Sequence, residues 1–276
     1  IYMLFICFLM ILLLLILFIK NIHEKFDNKK YITYNCNASA GLSHQTSNLK
    51  YAIKEAYYSN KILVIPKFNL NGKHNNGIEI VSNLSKYYDY NKLKVNGKKY
   101  YVELDQNVKN IEKINIKKNL FRIDSNIKHS QKNLDIDLPY NKNIIDISND
   151  ISSQLGKFIC IHIRRGDMLH LKKNLDNDTG SQNILPKLKK YKNHFDNIYI
   201  MTNEKNLNMY NDLRNSYKNR LFFKDDFPKL NKIQDNYYLF CIENCIMDNA
   251  TIKISTFKTD KKNYYNDYLS EEKGYQ

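Results

Sequence analysis

Tryptophan is absent, and the chain holds only eight glycines and four prolines in 276 residues. That scarcity excludes collagen-like and Pro/Gly-rich low-complexity chains. No P-loop, G-x-G-x-x-G or H-E-x-x-H pattern occurs, so three common phosphate, dinucleotide and zinc signatures are missing. Cysteine is sparse, and no C-x-x-C pair or His/Cys cluster has zinc-ligand spacing. Beyond Cys7 stand Cys36, Cys160, Cys241 and Cys245. Their even number would allow two disulfides in an oxidising compartment, and buried free thiols are the simpler reading. Acidic residues are also short: 28 against 43 Lys and Arg, a net charge of +15. The lysines are spread along the chain rather than clustered, which speaks against a nucleic-acid-binding face. At 43% hydrophobic and 13% aromatic, carried by 22 tyrosines, the chain has enough apolar material for a core and is not disordered.

The first nineteen residues, Ile1 to Ile19, carry no charge. As a helix they would reach about 28 Å, close to the hydrocarbon thickness of a bilayer. A cleaved signal peptide would have a shorter apolar core followed by small residues. Here Lys20-Asn21-Ile22-His23-Glu24-Lys25 follows, so an uncleaved transmembrane anchor is expected. Orientation draws opposing signals. Lys20, Lys25, Lys29 and Lys30 favour a cytoplasmic domain by the positive-inside rule. Sequons at Asn37, Asn83, Asn177 and Asn249 weakly favour a lumen.

Beyond a stalk at 20–30, apolar patterning predicts alternating strands and helices. Tyr31–Tyr34 reads as a strand, 46–59 as a helix and Ile62–Ile65 as a buried strand. Residues 67–90 read as irregular, and Asn96-Gly97 as a hairpin turn. The polar stretch 106–140 places a domain boundary near 140. Residues 142–155 read as a helix stopped by Gly156. Strands follow at Phe158–Ile163, Ile198–Met201, Leu221–Phe223 and Thr251–Ser255, with helices at 204–217 and 235–247 and a polar loop over 168–195. The expected class is α/β with mainly parallel sheets, in two domains, 31–140 and 141–276.

The most informative stretch is Phe158-Ile159-Cys160-Ile161-His162-Ile163-Arg164-Arg165-Gly166-Asp167. A buried strand runs directly into two arginines and a turn. In open α/β sheets ligands bind at the C-terminal ends of strands. Two fixed guanidiniums there suit a diphosphate, being planar, permanently charged and able to bind bidentately. His162 shares a side with Arg164, and Asp167 can pair with an arginine and hold it.

The run His162-Ile163-Arg164-Arg165-Gly166-Asp167 resembles the HxRRGD signature of the α1,2-, α1,6- and protein O-fucosyltransferase superfamily. Ser39-Ala40-Gly41-Leu42-Ser43-His44-Gln45 is similar to that family's GGLGNQ loop, with Ser43-His44 where the family typically has Gly-Asn. Asp235 to Phe240 through Ile254-Ser255-Thr256-Phe257 is similar to its last conserved block. The resemblance covers about residues 31–258. It implies a GT-B-like fold, two Rossmann-like domains facing a cleft, and an inverting transferase that uses GDP-fucose without cofactor or metal. Arg164 would hold the β-phosphate and stabilise the leaving GDP. His162 would line the nucleotide pocket, while Arg165 and Asp167 support the loop. Asp167 is also one candidate for a general base, with His44 the other. Glu243 falls where the family has an acidic residue that reads guanine. Ser255, Thr256 and Phe257 fall where its turn contacts phosphates and ribose. Gly41, His44 and Gln45 would face the sugar. The implied partners are a GDP-sugar donor, a glycan or glycoprotein acceptor and, through residues 1–19, an ER or Golgi membrane. Another nucleotide-sugar donor, or a non-catalytic basic module tethered to a membrane, are the competing readings.

Overall fold

The computed structural model describes residue 10 and residues 31–34, 41–82, 84–104, 111–114, 133–166, 169–170, 175–255 and 270–273. The chain divides into two compact units. One comprises residues 1–73, 77–85 and 89–139, the other residues 74–76, 86–88 and 140–276.

The first unit is built on four parallel strands: β1 (Tyr31–Tyr34), β2 (Ile62–Ile65), β7 (Val102–Leu104) and β8 (Ile111–Ile114). Their order is β7-β2-β1-β8, so in chain sequence the sheet runs 3-2-1-4. Helix α1 (Leu42–Tyr58) links β1 to β2. Leu49, Ala52, Ile53 and Ala56 are fully buried, one stripe at helical spacing. The helix starts four residues earlier than the apolar pattern predicts. Its first turns hold Ser43, His44 and Gln45, and Gly41 is the N-cap. Residues 67–90, expected to be irregular, contain an antiparallel pair, β3 (Phe68–Leu70) and β4 (Ile80–Ser82). Asn96 (φ +49°) and Gly97 (φ +72°) form the expected tight turn between β5 (Lys94–Val95) and β6 (Lys98–Lys99). Strand β9 (Ile136–Asp137) pairs with β5. Strand β8 lies in the stretch read as polar linker, and it completes the parallel sheet.

The second unit opens with α2 (Lys142–Leu155), capped by the Asn141 side chain and ended by Gly156 at φ +62°. Strand β10 (Phe158–Ile163) follows and becomes the middle of a five-stranded sheet. The expected polar loop instead contains α3 (Leu175–Asp178) and α4 (Ser181–Lys190), the latter with Pro186 inside it. Next come β11 (Asn197–Thr202), a 3₁₀ turn at Leu207–Tyr210, α5 (Asn211–Tyr217), β12 (Leu221–Phe223), the short α6 (Pro228–Asn231), α7 (Asn236–Asn249) and β13 (Ile252–Ser255). The helix expected over 204–217 is thus split, with Asn206 capping the 3₁₀ turn. An antiparallel strand, β14 (Ser270–Lys273), closes one edge. The order β12-β11-β10-β13-β14 again gives 3-2-1-4 for the parallel strands.

The sheet of the second unit is buried on both faces. Ile159, Ile161 and Ile163 pack with Ile184 and Leu188 of α4 and Leu213 of α5. The alternate residues, Phe158 and Cys160, lie on the side of α2 and α7. Cys160 and Cys241 are buried and Cys245 is half-buried, and all three are free thiols. Among the described residues no helix is long and apolar enough to cross a membrane. The expected anchor at 1–19 lies outside them, Met10 aside.

Candidate functional site

In a doubly wound sheet the crevice forms where strand order reverses, at the carboxyl ends of the strands on either side. In the second unit that point falls between β10 and β13. The chain leaves β10 toward β11 and β12 on one flank, then returns through α7 to β13 on the other. His162 of β10 lies opposite Ser255 of β13 in the ladder, at the last pair before both strands end. Arg164 follows two residues after His162. It is half-buried, and strand alternation puts it on the same side as His162 and Cys160.

Arg165 points the other way and is 4% exposed. A buried guanidinium is costly unless paired and hydrogen-bonded. Its Nε donates to Glu204 Oε2 at 2.9 Å. Its Nη1 donates to the Asp176 carbonyl at 3.1 Å and to the Thr179 hydroxyl, and its Nη2 to the Asp176 carboxylate. Its backbone N–H donates to Asn203 Oδ1 at 2.7 Å. Gly166 follows at φ +34°, and a Cβ there would collide with the Asn203 side chain.

The electrostatics follow from burial. The His162 imidazole is pushed down to about 4, chiefly by burial and then by the Arg164 charge. It is therefore neutral at pH 7, a hydrogen-bonding group and not a third cation. Glu204 is also enclosed, which alone would raise its carboxyl. Hydrogen bonds from the Asn206 N–H, from Arg165 and from the Lys205 N–H outweigh that and hold it below the usual carboxylate range.

Glu243 is placed differently from a base-reading carboxylate open to a crevice. It sits mid-way along α7, 7% exposed, and accepts a 2.8 Å hydrogen bond from the Tyr199 hydroxyl. Tyr199 pairs with Cys160, the third residue of six in β10. The carboxyl thus lies in the helix–sheet interface, three ladder positions below the strand ends. Burial lifts it to about 7, against the Tyr199 hydrogen bond and Lys224, with Asp225 adding to the rise.

The other expected site residues divide as follows. Ser255 ends β13 beside His162, while Asp167, Thr256 and Phe257 lie outside the described residues. In the first unit Gly41 caps α1 after β1, whose neighbours β2 and β8 again flank a reversal point. His44 is half-buried and Gln45 fully buried in the first turns of that helix. A hollow lined by Ser47, Lys50, Tyr51, Lys54, Leu134 and Ile136 lies further along α1 and holds no residue of the expected site. Among the described residues no cluster of three or more His, Cys, Asp or Glu side chains could hold a metal ion.

Sequence reasoning overlooked Asn203, Glu204, Asp176 and Thr179. The first two directly follow the apolar run of β11, so the strand-end rule that singled out Arg164 would have found them. Asp176 and Thr179 sit in the stretch read as loop, where the sequon at Asn177 took in Thr179 and nothing marked Asp176.

No known family profile matches the sequence, and no curated protein matches it. Solved structures do match. A crystal structure of POFUT1 in complex with GDP superposes with a TM-score of 0.54 at 11% identity, covering 81% of this chain and 89% of that one. A crystal structure of POFUT1 in complex with GDP-fucose gives 0.51, at the same identity and coverage. The fucosyltransferase NodZ from Bradyrhizobium gives 0.47 at 9% identity, covering 89% of this chain and 99% of that one. The chain has a mixed α/β fold that resembles that of the fucosyltransferase POFUT1.

Proposed function

We propose that this protein is a glycosyltransferase that moves fucose from GDP-fucose to a hydroxyl of a glycan or protein. The observation that carries the reading is the arginine pair at the β10/β13 reversal point. The Arg165 guanidinium is engaged by Glu204 and Asp176, and Arg164 is directed to the side of His162. The likeness to POFUT1, crystallised with GDP and with GDP-fucose, supports a GDP-sugar donor. In the proposed step the acceptor hydroxyl oxygen attacks C1 of fucose from the face opposite the leaving group, its proton passing to a general base or to solvent, so the configuration inverts. The bond from C1 to the phosphate oxygen breaks, and its electron pair passes to the β-phosphate. Arg164 would oppose the charge growing there, the work a metal does in other transferases. Neutral His162 and the end of β13 would line the nucleotide. Residues 1–19 would anchor the domain to an ER or Golgi membrane, with the catalytic part in the lumen.

A second reading keeps the transferase and changes the donor. It is favoured by Glu243, whose enclosed carboxyl, bonded to Tyr199, is not poised to read guanine. Calorimetry on the full chain in detergent, with EDTA present, separates the two. Selective binding of GDP over UDP and ADP supports the first, and preference for another nucleotide supports the second. The Arg164→Ala variant should lose about 10²–10³ in transfer rate while folding normally. Unchanged turnover in that variant would sink the mechanism, and absence of all nucleotide binding would leave a non-catalytic module.

A further inference from the structure

The arginine that would touch the donor sits on a backbone that its neighbour holds. Arg164 and Arg165 leave the strand on opposite sides, so whatever fixes the Arg165 side chain and peptide also fixes where Arg164 can reach. Four groups do this: Asp176 and Thr179 from α3 and the turn that ends it, and two from the loop after β11. The Asp176 side chain is 79% exposed. The two from the loop after β11 are Glu204, which is partly buried, and Asn203, which is exposed. Glu204, with a side chain 15% exposed, takes the Nε–H of Arg165. Asn203 takes the backbone N–H of Arg165 and fills the space beneath Gly166. The loop is itself braced. The Glu204 N–H donates to Thr202 Oγ1 at 3.1 Å, and the Asn206 N–H donates to Glu204 Oε1 at 2.9 Å. Both Glu204 oxygens are therefore engaged, one within its own loop and one across to β10.

We infer that Asn203 and Glu204 are positioning residues for Arg164, acting through Arg165 as a two-point clamp on the turn. The inference rests on the nucleotide-sugar reading above, because it gives the clamp its purpose. Asn203 holds the peptide and Glu204 the neighbouring guanidinium. Together they fix a long, flexible side chain at the strand end before any ligand arrives. A donor placed in advance is what makes such a group effective, and an ångström of misplacement is costly.

A double-mutant cycle on GDP affinity tests this, using the full chain in detergent and calorimetry. Arg164→Ala should weaken GDP by about 10²-fold, the scale of a lost hydrogen bond to a charged group. Glu204→Ala and Asn203→Ala should each weaken it by about tenfold, a typical coupling between residues in one network. Glu204→Gln, which keeps an acceptor for Nε–H, should recover most of that loss. The deciding measurement is Glu204→Ala made in the Arg164→Ala background. If Glu204 acts through Arg164, the second substitution weakens GDP by less than about twofold. Glu204→Ala lowers the unfolding midpoint in both backgrounds under either reading, so affinity decides: the loss from a merely structural Glu204 would multiply with that of Arg164→Ala. Multiplied losses overturn the inference while GDP binding by the parent chain leaves the transferase reading standing. If the parent chain binds no nucleotide, that reading falls and the inference with it. Should Glu204→Ala fail to fold, Asn203→Ala carries the same cycle, with Asn203→Asp as the variant that restores the acceptor.

Discussion

The two units contain the same arrangement twice, a parallel sheet of order 3-2-1-4 with a reversal point beside its first strand. What leaves that strand differs. In the second unit β10 delivers two arginines and a glycine into a turn held by Asn203, Glu204, Asp176 and Thr179. In the first unit β1 leads to Gly41 and then to a helix, with no charged residue among 41–49. Topology supplies a crevice in both cases, and only the side chains at the strand end decide which crevice can hold a diphosphate. The contrast teaches that fold likeness locates a site without assigning it. What sets the second unit apart is the network that engages Arg165, with Arg164 on the opposite side, that of His162.

The largest effect that would break this contrast concerns Arg165. Arg165→Ala leaves the partly buried Glu204 carboxylate without its cation; loss of one partner of a fully buried pair costs about 3–5 kcal/mol, so a loss near the lower end, about 3 kcal/mol, is expected. Urea denaturation followed by circular dichroism should show a fall of that size. Gln45, as deeply buried in the first unit, carries no charge, so Gln45→Leu should cost clearly less. Near-equal losses would mean that the second unit's strand end is not specially built.

Glu243 gives the next effect. Its carboxyl is raised from an ordinary 4.5 to about 7 by burial, so between those values the folded chain holds a proton that the unfolded chain has released. Stability should therefore fall as pH rises from about 4.5 to about 7, with a slope approaching 1.4 kcal/mol per pH unit. Glu243→Gln keeps the carbonyl oxygen that accepts from Tyr199 and removes the ionisation. The slope should flatten, and the variant should be more stable than the parent at pH 8. Its preference for GDP over UDP should stay as in the parent, since the carboxyl lies below the strand ends. A selective loss of GDP would instead return Glu243 to the nucleotide.

How much of this was legible depended on the range of the interaction that fixes each feature. Short-range patterns read well. The Ile62–Ile65 and Phe158–Ile163 runs are apolar on both faces, and both are central strands. Gly156 ends α2 and Asn96-Gly97 turns a hairpin because φ is positive there, a local demand. Features fixed by distant partners did not read. Strand β8 is Ile-Glu-Lys-Ile in a polar stretch, and only its pairing with β1 makes it a strand. Helix α4 carries Pro186 and many lysines, yet Ile184 and Leu188 hold it against the sheet. Arg164 was visible as a charge after a buried strand. That Arg165 was the engaged partner was not, because Asp176 and Thr179 come from one distant segment and Glu204 from another. The depth of Glu243 was hidden for the same reason, since only the ladder register puts Tyr199 at mid-strand.

The smallest effect sharpens the comparison from the other side. Gly41 caps α1 at φ −73°, a backbone any residue adopts, and as glycine it makes no side-chain cap hydrogen bond to the first N–H groups of the helix. Serine at an N-cap is better than glycine by a few tenths of a kcal/mol. If Gly41 served only the helix, Gly41→Ser would be mildly stabilising and otherwise silent. If the glycine keeps space for a sugar beside the strand end of the first unit, the same variant gains those few tenths and loses activity severalfold. We expect the second outcome, read as a slightly higher urea midpoint together with a lower kcat/KM for transfer and unchanged affinity for GDP. The division between affinity and turnover is the informative part, because it would give Gly41 a role in transfer separate from nucleotide binding. A loss of GDP affinity in Gly41→Ser would instead give Gly41 a part in nucleotide binding itself.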